Sequence, residues 1–157
     1  MWIKKIFCQH FSFYSCNIVT IIMTPPLLEK STQSMLIAKM LVKHNYSSSI
    51  NRAYYSCLQY ILHILEEKLK HTREEIMNQP SSGTHGKAQY LLESSLVSRV
   101  KQKTGNYREY KWFQEQFPAL KQERVKADYY GDALNPDRGY AAIRTAEDII
   151  NTLRKYY

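Results

Sequence analysis

Residues 47–68, SSSINRAYYSCLQYILHILEEK, carry the strongest structural pattern in this 157-residue chain. Apolar residues recur there at intervals of three and four, which places them on one face of an α-helix. They are Ile50, Ala53, Tyr54, Cys57, Leu58, Ile61, Leu62 and Leu65. The serines at 47–49 are suited to cap a helix N-terminus. The pattern predicts a helix with a buried face that continues to about Lys70.

Further helices are predicted on both sides of this one. Glycine and proline are scarce, at five each, and no strand-like alternation of apolar and polar residues is visible. Helical spacing or helix-start residues mark four other segments. They are 27–43, behind Pro25-Pro26; 86–101, behind the turn-rich linker 78–87; the segment opened by Phe117-Pro118; and the last one, opened by Asn135-Pro136. The sequence predicts an all-α fold, an antiparallel up-and-down bundle of four to five helices.

The first 22 residues differ from the rest of the chain. They are mildly apolar but interrupted by polar residues, and no small-x-small cleavage site follows them. The segment is also too short and too polar for a transmembrane helix. Met23 opens a more ordinary domain start. We therefore expect residues 1–22 to be an upstream extension outside the fold, and residues 23–157 to form one domain. A helix lying on a membrane surface is the alternative for the extension.

The chain is basic, with a formal net charge of +8. Eight of its 22 basic residues lie between Arg99 and Lys126, against three acidic ones. Such a basic stretch would attract a phosphate backbone or an acidic partner. A solvated helix surface rich in lysine explains the same composition equally well.

The cysteines point away from a metal site. Cys8, Cys16 and Cys57 are widely spaced, and no Cys/His cluster has the spacing of zinc ligands. We expect no metal and no cofactor. An odd number of scattered cysteines favours a reducing, cytoplasmic location, with Cys57 as a small core residue.

Four motifs occur in order along the chain, and together they define a resemblance. They are INRAYYSCLQYIL, GTHGKAQYLL, ERVKADYYGD and AEDIINTLRKYY. In this order the sequence resembles the HEPN superfamily (higher eukaryotes and prokaryotes nucleotide-binding domains). The likeness is to the small stand-alone bacterial and archaeal HEPN proteins, and it covers roughly residues 27–157.

The resemblance implies a compact helical bundle that forms a homodimer. The helix that carries Tyr55 and Gln59 has a second, mixed face beside its apolar stripe, and this face is suited to a two-fold contact. Many members are ribonucleases of toxin–antitoxin or defence systems, with an R-x4-6-H motif repeated across the dimer cleft. In that motif the arginine holds a phosphate and the histidine moves protons as the ribose 2′-OH attacks. Other members bind RNA or nucleotides, or pair with a small nucleotidyltransferase.

This chain departs from the catalytic motif. Tyr129, Tyr130 and Gly131 follow Arg124 where the histidine is expected, and no arginine of the chain has a histidine five to seven residues later. Tyrosine, with an ordinary pKa near ~10, is a poor general base at neutral pH. We therefore predict no catalytic residue, and binding of RNA, a nucleotide or a nucleotidyltransferase partner. The alternatives are an unconventional metal-independent ribonuclease and a structural adaptor without affinity for nucleic acid.

Candidate ligand-binding residues come first from the R-x-K-A-D-Y segment. They are Arg124, Lys126, Asp128 and Tyr129. Arg124 and Asp128 are one helical turn apart and can also pair with each other. Arg52 is a further candidate, either as a ligand arginine or as an internal ion-pair partner of Asp128.

Three more candidates lie in the other motifs. The Tyr55 hydroxyl either reaches the cleft or binds a backbone group. Thr84 is predicted to cap the third helix, and His85 beside it either binds an anion at the helix N-terminus or has a local capping role.

Overall fold

Six α-helices and no strand make up the described part of the chain, residues 25–129 and 135–157 of this computed structural model. They are α1 (Pro26–Leu41), α2 (Tyr46–His63), α3 (Arg73–Met77), α4 (Gly83–Lys103), α5 (Arg108–Tyr129) and α6 (Pro136–Arg154). A π-helical turn, Ile64–Lys68, extends α2. The predicted all-α bundle is confirmed. The predicted extension 1–22, with Cys8 and Cys16, and also Tyr130 and Gly131 lie outside the described residues.

Helix α2 occupies the centre of the bundle. It contacts α1, α4, α5 and α6. The stripe predicted from its sequence is the core: Ile50, Ala53, Tyr54, Cys57 and Ile61 are all completely buried. Since each buried aliphatic side chain stabilises the fold by about 1.5–3 kcal/mol, this one helix contributes a large part of the hydrophobic core.

Buried serines connect α1 to α2. The Ser31 hydroxyl donates to the Ser56 carbonyl at 2.9 Å, and the Ser56 hydroxyl donates to the Ser31 carbonyl at 2.8 Å. Ser49 donates to the Ala38 carbonyl at 2.9 Å. Each hydroxyl therefore finds a backbone acceptor, which removes the cost of burying it.

The N-cap of α2 is not one of the predicted serines. Asn45 holds that position, and its side chain accepts a hydrogen bond from the Ser48 N–H at 3.0 Å. Ser47 and Ser49 lie inside the helix, where their hydroxyls bind α5 and α1. Asparagine and serine are comparable as caps, so the acceptors on neighbouring helices decide which residue is used.

The segment between α2 and α4 also differs from its prediction. The short helix α3 was not predicted; Thr72 and Glu75 cap it reciprocally. Helix α4 begins at Gly83, inside the predicted linker 78–87, with Ser82 as its N-cap residue. Thr84 is therefore the second residue of α4, and its predicted capping role is wrong.

Pro118 lies within α5 and does not open a helix as predicted. The helix begins ten residues earlier, where the Asn106 side chain accepts the Arg108 N–H at 3.0 Å. Phe113 and Phe117 precede the proline, stacked with ring centroids 5.8 Å apart, and both are completely buried. Burial of this face on both sides of Pro118 outweighs the lost backbone hydrogen bond.

Substituting Pro118 tests this explanation. Pro118→Ala is expected to raise the free energy of unfolding by about 1–3 kcal/mol, because alanine restores an N–H for the Gln114 carbonyl. Pro26→Ala is the matched control, since proline at the first helical position lacks no hydrogen bond; it should change stability by less than ~0.5 kcal/mol. Urea unfolding followed by circular dichroism measures both. A Pro118→Ala protein less stable than wild type would show instead that contacts of the proline ring stabilise α5.

Candidate functional site

Three helices bring polar and aromatic side chains together near the start of α2. We call this group the polar cluster; its members are Asn51, Tyr54, Tyr55, His85, Arg124 and Asp128. The first three lie on α2, His85 on the first turn of α4, and the last two on the final turns of α5. The structure therefore brings together four of the predicted candidates, Tyr55, His85, Arg124 and Asp128.

Tyr54 and His85 form the centre of the polar cluster. The Tyr54 hydroxyl and the His85 Nδ1 are 2.8 Å apart and share a hydrogen bond. The Tyr54 ring is completely buried and stacks on Phe117, with centroids 5.6 Å apart. Tyr54 was predicted as a core residue, which is correct for the ring but misses the role of its hydroxyl. A buried tyrosine hydroxyl requires a polar partner. A tyrosine within an apolar stripe therefore indicates that a polar side chain from another helix lies nearby.

The Tyr55 ring lies beside both the histidine and the arginine. Its centroid is 6.0 Å from that of the His85 ring, which meets it edge-on. The Arg124 Cζ lies 5.7 Å from the same centroid. A cation over an aromatic face is favourable, so Tyr55 helps to hold the Arg124 guanidinium near His85.

Asp128 is held by two residues of the polar cluster. Arg124 Nε lies 2.9 Å from Asp128 Oδ2, which confirms that the two residues pair across one helical turn. The Asn51 side-chain amide lies 3.1 Å from each carboxylate oxygen. The predicted Arg52–Asp128 ion pair does not form, because α2 turns the exposed Arg52 away and presents its neighbour Asn51 instead.

The Arg124 guanidinium is incompletely satisfied. Its Nε is buried, and although Asp128 is close, the angle between them does not make a hydrogen bond; within residues 25–129 and 135–157 this N–H has no hydrogen-bond partner. The Arg124 side chain is 19% exposed. The Nε–H therefore meets the Asp128 carboxylate as an ion pair only, while the exposed part of the Arg124 side chain stays open to a ligand.

Burial and nearby cations set the protonation of the polar cluster. The pKa of His85 lies below its ordinary value, mainly because burial disfavours the charged imidazole, and further because Lys121 and Arg124 repel it. Burial also raises the pKa of Tyr54, with Tyr55 as a smaller cause in the same direction. At neutral pH the cluster therefore holds a neutral imidazole and a protonated phenol. Lys121, like Asn51 and Tyr54, was missed in the sequence.

Four predicted candidates lie outside the polar cluster. Lys126 lies two residues after Arg124 on α5, a rotation of about 200° that places its side chain on the opposite side of the helix. There it pairs with Glu123 at 3.1 Å. Arg52, Thr84 and Tyr129 are exposed and take part in none of the contacts described above.

Metal sites and membrane-spanning helices are both absent from the described ranges. In the described ranges, no group of three or more His, Cys, Asp or Glu side chains is placed to hold a metal ion. No helix in those same ranges has the length and apolar composition needed to cross a membrane. Cys57 is buried, and its thiol lies 3.4 Å from the Ala146 carbonyl, as expected of a core residue.

Comparisons with protein-family models, with curated proteins and with solved structures found no match to this chain. The resemblance to the HEPN superfamily therefore remains a prediction from the sequence motifs.

The charges around His85 give a direct test of the polar cluster. Lys121→Gln combined with Arg124→Gln should raise the pKa of His85 toward its ordinary 6.5, because both cations disfavour the imidazolium. The pKa should stay below 6.5, since burial remains. NMR titration of the imidazole, assigned with His85→Gln, measures it, and Lys43→Gln serves as an exposed control. An unchanged pKa in the double variant would show that the cations do not act on His85.

The same pKa shift predicts how His85 affects stability. Because the folded-state pKa lies below that of the unfolded chain, the unfolded state takes up more protons as the pH falls. The stabilising contribution is therefore complete above about pH 6.5 and is lost as the pH falls through the lower folded pKa.

Proposed function

We propose that this chain is a HEPN-like domain that binds RNA or a nucleotide, with the polar cluster holding a phosphate group. The observation that carries the proposal is the Arg124 guanidinium, which lies beside the Tyr55 ring and the Asp128 carboxylate and whose side chain stays partly open to solvent. A guanidinium presents paired donors that match two phosphate oxygens.

The surroundings of Arg124 are suited to an anion. Lys121 lies near enough to His85 to affect its pKa, and it adds a second positive charge. Asp128 offsets one of the two charges, and Asn51 binds that carboxylate from the other side. Neutral His85 supplies a further polar group through its second ring nitrogen, Nε2, since Nδ1 is bound to Tyr54.

The resemblance extends this proposal to a setting. HEPN proteins of this type act in toxin–antitoxin or defence systems, some of them with a small nucleotidyltransferase as partner. We include such a partner in the proposal. The four ordered motifs support it.

A ribonuclease is the second candidate function. His85 lies on α4, and Arg124 lies on α5. The R-x4-6-H motif requires the two residues to be close in sequence, so it does not detect this pair. Its Nε2 could take the proton of an attacking ribose 2′-OH. Cleavage also needs an acid that protonates the leaving 5′-oxygen, and Tyr54, whose pKa is raised, is a weak one. Binding without cleavage is therefore ranked first.

An RNA experiment separates these functions. Arg124→Gln should weaken binding of a labelled single-stranded RNA about tenfold, because one phosphate contact is lost. It should also reduce the steepness of the plot of log K against log salt concentration by about 0.7. Arg144→Gln, an exposed arginine of α6, removes the same charge and should change neither value. In a time course without metal, wild type should cleave the RNA no faster than Arg124→Gln.

The other outcomes identify the alternatives. Cleavage that is lost in both Arg124→Gln and His85→Gln would establish the ribonuclease. A protein with no affinity for RNA or nucleotides would be a structural adaptor.

A homodimer is also part of the proposal, on a surface other than the one predicted. The predicted contact face carried Gln59, but its side chain accepts the Ser34 hydroxyl of α1 at 2.8 Å and is not available. Helix α1 instead exposes Leu36, Ile37 and Met40 side by side, with Met40 74% exposed. An apolar patch on a helix supports a two-fold contact between identical faces.

Light scattering tests the dimer. At tens of micromolar we expect about twice the 18.5 kDa chain mass, and Leu36→Glu with Met40→Glu should return it to one chain mass because charge is then buried in the contact. Wild type that scatters as a single chain would contradict the proposal.

A further inference from the structure

A cavity lies at the opposite end of the bundle from the polar cluster. It is a groove of about 890 Å³ along the first three turns of α5 and the loop before it, with Thr152 of α6 on one side. Arg108 and Arg124 are 16 residues apart on α5, which corresponds to about 24 Å along the helix. We call it the α5 groove; its main lining residues are Asn106, Tyr107, Arg108, Lys111, Trp112 and Glu115.

Two aromatic rings line the α5 groove. Trp112 is half-buried; it packs against the hydrophobic core and also borders the cavity. Tyr107, in the loop, is 38% exposed. A ring supported by the core on one side and open on the other is the kind of surface on which nucleobases stack.

The charges that line the groove are mixed, with Arg108 and Lys111 positive and Glu109 and Glu115 negative. Arg108 and Lys111 line the groove, and neither forms an ion pair with any residue in 25–129 or 135–157. The Glu109 carboxylate is already bound by Lys155 Nζ at 2.6 Å and by the Tyr156 hydroxyl. The last turn of α4, which precedes the groove, carries Lys101 and Lys103, and the Lys103 ammonium donates to the Lys155 carbonyl.

Glu115 decides which anion fits the α5 groove. It is exposed, lines the groove, and likewise has no ion-pair partner in the part of the chain that the structure describes. A carboxylate repels a simple polyanion or an acidic peptide. It accepts hydrogen bonds from the amino groups of nucleobases, while Arg108 and Lys111 hold phosphates.

We propose that the α5 groove binds a single-stranded nucleic acid, with bases stacked on Trp112 and Tyr107 and phosphates held by Arg108 and Lys111. The two cations match the phosphates, and the aromatic rings and the Glu115 carboxylate match the base. The volume is near the upper end of the range for ligand pockets, roughly 300–1,000 Å³, so about one or two nucleotides fill it. The site is separate from the polar cluster and does not depend on the function proposed for it.

Trp112 reports on this site directly. The chain has two tryptophans, so a full-length Trp2→Phe protein carries Trp112 alone. A single-stranded octanucleotide should quench its fluorescence in a saturable way. Inorganic polyphosphate of similar charge should not, because it has no base to stack. Equal quenching by polyphosphate would overturn the proposal, since the groove would then recognise charge only, and so would no quenching by the oligonucleotide.

Variants of the groove give a second readout in the same background. Tyr107→Ser should weaken oligonucleotide binding roughly tenfold through the lost stacking contact. Arg108→Gln with Lys111→Gln should lower the salt slope of log K by about 1.4, or 0.7 for each phosphate. Lys30→Gln with Lys43→Gln removes the same charge from exposed positions on and beside α1 and should leave the slope within measurement error. An equal loss in this control would overturn the proposal, because the binding would then be general electrostatic attraction.

The polar cluster and the α5 groove can fail separately. If the oligonucleotide still quenches Trp112 fluorescence in the Arg124→Gln protein, the α5 groove binds independently of the polar cluster. This conclusion holds whether or not Arg124→Gln weakens binding in the RNA experiment described above. Quenching that disappears with Arg124→Gln while the fold is intact contradicts a separate site.

Discussion

The burial of α2 on several sides is the constraint on which the rest of the structure depends. A helix whose apolar stripe is completely buried must have neighbours along its whole length, and α1, α4, α5 and α6 all contact it. For the helices to pack closely, the side chains at their contacts must be small, and any polar group among them must be hydrogen-bonded. Ser31, Ser49 and Ser56 meet this requirement, since each hydroxyl binds a backbone carbonyl of the neighbouring helix. These three buried hydroxyls are thereby paired within the core itself.

The polar cluster follows from the same constraint. With α2 at the centre, the face next to its apolar stripe, which carries Asn51 and Tyr55, is enclosed by the start of α4 and the end of α5. The Tyr54 hydroxyl must find a partner, and His85 is placed to provide one. Arg124 is then held between Tyr55 and Asp128, with part of its side chain still open to solvent. A guanidinium held in place beside a histidine and left partly open is suited to bind an anion, and this is why we connect it with a ligand.

The basic stretch between Arg99 and Lys126 is divided in space. Because α4 and α5 are joined by a short turn and run in opposite directions, residues from Arg99 to Lys111 gather at that turn, while Lys121 and Arg124 lie near His85 at the other end. Tyr107 and Trp112 accompany the first group, and the buried Tyr54 and the half-buried His85 accompany the second. One run of positive charge in the sequence therefore supplies two surfaces of different chemistry, one an aromatic groove and the other a partly buried polar cluster.

The sequence by itself determined the helical class, the central helix and its buried face, and the Asn135-Pro136 start of α6, where Asn135 accepts the Arg138 N–H. These features depend on residues a few positions apart, whose spacing follows from helix geometry. The motifs also identified Tyr55, His85, Arg124 and Asp128 as candidates. Only the tertiary structure decided that Tyr54 holds His85, that Asn51 rather than Arg52 binds Asp128, and that α5 continues through Pro118. Each of these depends on packing between helices distant in sequence, where the burial of apolar faces and the pairing of buried polar groups outweigh local preferences.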